Sequence, residues 1–218
     1  ISVNTLDEYI RDLSAAISTP HPDYQRLGIE VDGEWRQLNA NTLQIENEYY
    51  AFIRPKRVAY SGERPTKALR RAGVQYVEMR SLDVSVLDPV GVNQGKLRFL
   101  EAFAAFCVLA PSPPLSSAEQ NALDGNHATV ARRGREPGLA LSLEGRALPL
   151  HTWGSEILQA MEGTCDILDA GDPARPYTAA LRTAKGKLEN AELTPSARIL
   201  REMQASGESF YDFASRTS

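Results

Sequence analysis

The chain has 218 residues, 24 of them basic and 28 acidic, a net charge of −4 and an apolar content of 42%. That balance lacks the basic excess nucleic-acid binding needs, and the apolar content excludes wholesale disorder. No apolar run approaches the ~20 residues of a membrane span.

In chain order, Asn4-Thr5-Leu6-Asp7 reads as a helix start, a capping residue with an acid in the first turn. Leu6, Ile10, Leu13 and Ile17 recur at helical spacing until Thr19-Pro20-His21-Pro22 stops the run. Strand-like segments follow at 27–32 and 35–39, with Asp32-Gly33 as a hairpin signal between them. Residues 43–53 form a third such segment, mixed in character and ended by Arg54-Pro55-Lys56-Arg57. Residues 66–72 read as a short helix closed by Gly73, and 73–89 as a strand ended by Asp88-Pro89. Helical patterns then cover 93–110 and the stretch from 117 to about 133. GREPGLALSLEG is a loop with a short strand, and the rest, from about 152, reads as three or four helices broken at Gly171-Asp172-Pro173 and near Thr194-Pro195.

Strands in residues 1–90 followed by helices in 91–218 predict an α+β fold, an antiparallel sheet with helices packed on it. No Walker motif, GxGxxG or HExxH is present. His21, His127 and His151 are far apart and read as surface residues. Cys107 and Cys165 lie in apolar helical surroundings and read as buried, reduced thiols of a cytoplasmic protein. The chain starts ISVNTLDEYI, without methionine or signal peptide, and ends FYDFASRTS inside a helix, so it reads as a piece of something longer.

Two segments put polar groups where a strand interior should be apolar. In GVQYVEMRSLDVSVLDP, Glu78 and Arg80 stand two apart and therefore share a face, with Val77 and Met79 turned the other way towards packed helices. In QIENEYYAFIRPKR, Gln44, Glu46, Glu48 and Tyr50 share a face if the segment is extended. Burying such charges unpaired is costly, so these faces are either solvated or line a site. Carboxylates at alternate positions suit Mg²⁺, and an arginine beside them suits phosphate. The residues thus allow an ATP and Mg²⁺ site beside the plainer reading of a solvated sheet face.

At these residues the chain resembles a known family. LQIENEYYAFIRPKR, GVQYVEMRSLDVSVLDPVGV and TPSARILREM closely resemble the proteobacterial-type glutamate–cysteine ligases, and the likeness runs through nearly the whole chain, more loosely from 144 to 192. The resemblance implies part of a curved antiparallel sheet, a funnel like that of glutamine synthetase, with a helical C-terminal half. It implies ATP-dependent ligation of L-glutamate to L-cysteine through γ-glutamyl phosphate, the first step of glutathione synthesis. It makes Glu78 a Mg²⁺ ligand, Arg80 the catalytic arginine on the transferring phosphoryl group, and Tyr50 a wall of the cysteine pocket. Glu46 and Glu48 belong to the same motif with a metal, water or structural role. Arg54, Lys56 and Arg57 fall near the nucleotide, with Lys56 equally a surface charge. Family members are more than twice this length, so the resemblance makes residues 1–218 the C-terminal part of one catalytic domain, inactive alone. A ligase with another amine acceptor and a non-catalytic remnant are the alternatives; oligomeric state has no signal.

Overall fold

The structure, a computed structural model, describes residues 1–217. Helix α1 (Leu6–Ala16) begins where Thr5 accepts the Glu8 backbone N–H, as the capping pattern predicts. Helix α2 (Pro22–Leu27) follows at once, with proline at its start and His21 capping Asp23 N–H. The strand expected at 27–32 is therefore shorter: β1 (Glu30–Val31) pairs with β2 (Glu34–Trp35) across a two-residue turn. Asp32 and Gly33 both take positive φ, 54° and 81°, as such a hairpin turn demands.

The segment 43–53 is not a strand. Glu46–Glu48 is a 3-10 turn, and the paired strand is Ile53–Lys56, β3. Helix α3 (Pro65–Ala72) closes at Gly73, whose φ of 72° suits glycine. Strand β4 (Tyr76–Met79) then returns antiparallel to β3, with Arg54 opposite Glu78 and Lys56 opposite Tyr76. Arg80 N–H donates to Phe52 carbonyl at 2.7 Å and continues the same register. Pro55, opposite Val77, falls at an alternate position whose nitrogen faces away from β4, so the proline removes no rung of the ladder.

The chain divides into two compact units, Ile1–Asp83 and Val84–Ser218. In the first, Tyr9, Ile10 and Leu13 of α1 pack with Leu69 of α3, and Leu6, Leu43 and Tyr49 flank them. Burial pushes the Tyr9 hydroxyl up to about 12, with Tyr49 adding to it. Val77 is 51% exposed, so the face opposite Glu78 is not closed over by packed helices at that position, contrary to expectation.

The second unit contains α4 (Gln94–Leu109), α5 (Ser117–Arg133), the β5 (Ala140–Leu143) and β6 (Arg146–Pro149) hairpin, and helices α6 (Leu150–Ala160), α7 (Glu162–Leu168), α8 (Pro176–Glu189), α9 (Pro195–Ser206) and α10 (Phe210–Thr217). Asn93 caps α4, and Ser116 with Glu119 forms a full capping box on α5. Ala102, Leu158, Met161, Cys165, Tyr177 and Leu181 make the core, supplied by α4, α6, α7 and α8. The architecture is α+β with a helical second half. Its strands form three separate two-stranded antiparallel ladders, and in the first unit helices hold more residues than strands do.

Candidate functional site

The side chains of β3 and β4 that alternate onto one face meet at a single carboxylate. Arg54 and Glu78 are direct cross-strand partners, and Arg80 lies two residues along from Glu78 on the same side. Arg54 Nη2 is 3.1 Å and Nε 3.3 Å from Glu78 Oε2. Arg80 Nε is 3.0 Å from the same oxygen, and its Nη2 donates to Oε1 at 3.2 Å. Lys56 Nζ stands 3.4 Å from Oε2. Three cations surround one carboxylate, so the face carries a surplus of two positive charges.

The hydrogen bonds from Arg80 hold the Glu78 carboxyl at about 2, with help from Arg54 and Lys56 against the opposing effect of desolvation. Glu78 is therefore ionised at any physiological pH, and Arg80 is raised in turn, chiefly by Glu78. The four side chains differ in access. That of Arg54 is 8% exposed, whereas Glu78, Lys56 and Arg80 are 32%, 28% and 38% exposed.

Tyr50 joins this face. Its hydroxyl donates to Arg80 carbonyl at 3.4 Å, and the Arg80 guanidinium carbon lies 5.8 Å from its ring centroid, within cation–π range. The expected trio of Tyr50, Glu78 and Arg80 is thus brought together, although Tyr50 reaches it from a loop and not from a shared strand face. Tyr50 is 63% exposed and so open to a ligand.

Glu46 and Glu48 are not brought there. Glu46 is 6% exposed and spends both oxygens on Thr66, accepting the backbone N–H at 2.8 Å and the hydroxyl at 2.6 Å. Glu48 accepts Gln44 N–H at 2.5 Å, a bond inside its own turn. The 3-10 turn separates the side chains that an extended segment would have aligned. Arg57 lies past the ladder and takes no part in the Glu78 cluster. Lys56 belongs to it fully, which spacing on β3 could have shown: it lies two residues from Arg54.

These residues do not form a magnesium site by themselves. The cluster offers one carboxylate among three cations, and the described residues contain no group of three or more histidine, cysteine or acidic side chains able to hold a metal. The accessible donor set is that of an anion site: the Arg80 guanidinium fork and the Lys56 ammonium suit phosphate oxygens. The cysteines play no part. Cys107 is exposed and not buried as expected, and only partial desolvation pushes its thiol up; Cys165 is buried, and burial pushes its thiol up, away from the reactive thiolate. No helix among the described residues is long and apolar enough to cross a membrane.

A glutamate–cysteine ligase of Pseudomonas aeruginosa (strain LESB58) is 46% identical over 215 residues, which is 99% of this chain and 41% of that protein. A glutamate–cysteine ligase of Janthinobacterium sp. (strain Marseille) has the same identity and coverage. The crystal structure of the Francisella tularensis glutamate–cysteine ligase in complex with AMP superposes with a TM-score of 0.89 at 32% identity, over 100% of this chain and 44% of that one. The chain thus spans less than half the length of these relatives. Residues 1–130, which hold the whole Glu78 cluster and Tyr50, match the glutamate–cysteine ligase family, and the chain belongs to that family.

Proposed function

We propose that this chain supplies the phosphoryl-handling face of a glutamate–cysteine ligase, an enzyme that joins the γ-carboxylate of L-glutamate to the amine of L-cysteine at the expense of ATP. The observation that carries the reading is the convergence of Arg80, Arg54 and Lys56 on one ionised Glu78, beside an exposed Tyr50.

In the first step a γ-carboxylate oxygen of glutamate attacks the γ-phosphorus of ATP. The bond to the β,γ-bridging oxygen breaks, giving γ-glutamyl phosphate and ADP. In the second, the cysteine amine attacks the acyl carbon of that acyl phosphate, phosphate leaves, and the amine loses a proton. Negative charge accumulates on the phosphoryl oxygens in both steps, so fixed cations aimed at them lower the barrier. Arg80 is the group for this role, because it is exposed and its planar fork fits two oxygens at once. Lys56 adds a point charge. Tyr50, against Arg80, puts an aromatic wall where the amine acceptor would approach the acyl phosphate. The adenine nucleotide in the Francisella tularensis relative supports ATP as the phosphoryl donor.

Mg²⁺, the usual companion of ATP, would neutralise phosphate charge. Glu78 is the residue this chain would bring to it, with the further oxygen ligands supplied from outside the cluster.

The test is phosphate release by the full-length protein that carries this sequence, given ATP, glutamate and cysteine together and singly. Release that requires both amino acids is expected. Release supported equally by other amines would point to a different acceptor, and no ATP binding with Arg80 intact would overturn the reading. The 218-residue chain alone is expected not to turn over.

A further inference from the structure

One member of the cluster is placed unlike the others. The Arg54 side chain is nearly buried, while Lys56 is partly exposed and Arg80 more so. Arg54 Nη1 donates to Tyr49 carbonyl at 2.5 Å, and its Nε and Nη2 both point at Glu78 Oε2. It also lines a shallow cleft of about 30 Å³ together with Tyr9, Leu13, Glu46, Lys56 and Leu69. All three Arg54 nitrogens thus donate to protein oxygens, and a nucleotide would have to displace those bonds to take its fork.

Arg80 has the opposite situation. Among the described residues its ion pair is with Glu78, so it must loosen that pair to grip phosphate. Pulling a cation from a carboxylate in a half-buried setting is opposed by their attraction, unless another cation stays behind. The geometry points to Arg54 as a positioning residue that holds Glu78 from the core side and so leaves Arg80 and Lys56 free to turn to an anionic ligand. Arg54 does not touch the nucleotide in this arrangement, which departs from the placement its neighbours in the motif suggest. The inference rests on the reading of Arg80 as the phosphoryl-binding arginine.

It can be tested in the full-length protein by a double-mutant cycle read as affinity for ATP in the presence of EDTA, using titration calorimetry. Arg54→Lys keeps the charge and loses the fork, so Glu78 draws harder on Arg80. Affinity is expected to fall about fivefold, a coupling typical of residues in one ion network. In a Glu78→Gln background the same substitution is expected to change nothing, because Arg54 acts through the carboxylate. Kinetics should agree: Arg54→Lys lowers kcat, and glutamate KM stays put. Equal weakening in both backgrounds would mean that Arg54 touches the nucleotide or merely supports the fold, and would overturn the inference; so would no weakening in either. Should Arg54→Lys not fold, Arg54→Gln keeps amide donors for Tyr49 carbonyl and runs the same cycle. Arg80→Lys is the control. If it leaves ATP affinity and kcat intact, the phosphoryl reading itself fails, whereas loss in Arg80→Lys with none in Arg54→Lys removes only the role of Arg54.

Discussion

The carboxylate of Glu46 holds both the backbone N–H and the hydroxyl of Thr66, from 20 residues away in the chain. Thr66 is the second residue of α3, where helix N–H groups lack internal partners. Arg64, at the capping position, makes no side-chain cap bond, and Pro65 has no N–H to offer. Glu46 therefore does the work of an N-cap, and its negative charge suits the positive end of the helix. The link ties the 3-10 turn that precedes β3 to the helix that precedes β4, so it sets where the two strands of the site begin.

Glu46→Ala is expected to destabilise the protein by about 1–3 kcal/mol, because it leaves a buried donor pair without an acceptor. Glu46→Gln, which keeps one acceptor oxygen, should cost less. Urea titration of both variants checks this. An unchanged midpoint in the alanine variant, together with a raised requirement for Mg²⁺, would instead move Glu46 to the metal.

The charged face yields a prediction with opposite signs for binding and turnover. Glu78→Gln removes the one anion from among three cations, so metal-free ATP or pyrophosphate should bind more tightly. Turnover should collapse all the same and need more Mg²⁺, since the residue proposed to bring an oxygen to the metal is lost. Arg80→Lys should lower kcat by roughly a hundredfold, the usual cost of losing a fixed donor to transition-state charge, because a point charge does not replace a fork. Calorimetry and steady-state kinetics on the full-length protein separate the two effects; unchanged kinetics in either variant would refute its role.

Some of this was legible in the residues and some was not, for physical reasons. Alternation alone put Glu78 and Arg80 on one face, and they do share a carboxylate–guanidinium pair there. Local chemistry gave the Thr5 cap, the Asp32-Gly33 turn and the Gly73 stop, because each depends on a few neighbouring residues. The alternation of Gln44, Glu46, Glu48 and Tyr50 misled for the same reason: it describes a strand only if the backbone is extended. Here Glu48 turns back on Gln44, and Glu46 answers to Thr66. The stop at Thr19-Pro20-His21-Pro22 does end α1, but Pro22 also stands at a first turn, where proline begins a helix, and α2, not expected from the sequence, starts there. The burial of Arg54 depends on Glu78, 24 residues later, and no local pattern announces it.

The helical unit has a core that one fully buried residue can probe. Met161 is fully buried at the junction of α6 and α7, in one cluster with Leu158, Cys165 and Leu181. Met161→Ala should cost about 2–5 kcal/mol through lost transfer energy and the cavity left behind. A urea midpoint that falls accordingly, with Met161→Leu close to the parent protein, checks it.

Part of the acid sensitivity should be traceable to one ion pair. Arg71 grips Glu63 with two parallel bonds, Nε to Oε1 at 2.9 Å and Nη2 to Oε2 at 3.0 Å. Tyr60 N–H adds a third at 2.9 Å, and the Arg71 guanidinium lies 4.1 Å from the Tyr60 ring centroid. Arg71 first, then the Tyr60 N–H, hold the Glu63 carboxyl at about 2, below its ordinary 4.5. A carboxyl whose pKa is lower in the folded chain than in the unfolded one contributes stability that is fully present above the unfolded value. That contribution fades as pH falls from 4.5 towards 2. Glu63→Gln should therefore be less stable than the parent at pH 7, and the gap should narrow steadily below pH 4.5. Comparing the two proteins cancels the titration of every other carboxylate. Urea midpoints measured at pH 7, 4 and 3 decide the matter, since a gap as wide at pH 3 as at pH 7 would show that the pair does not carry the effect.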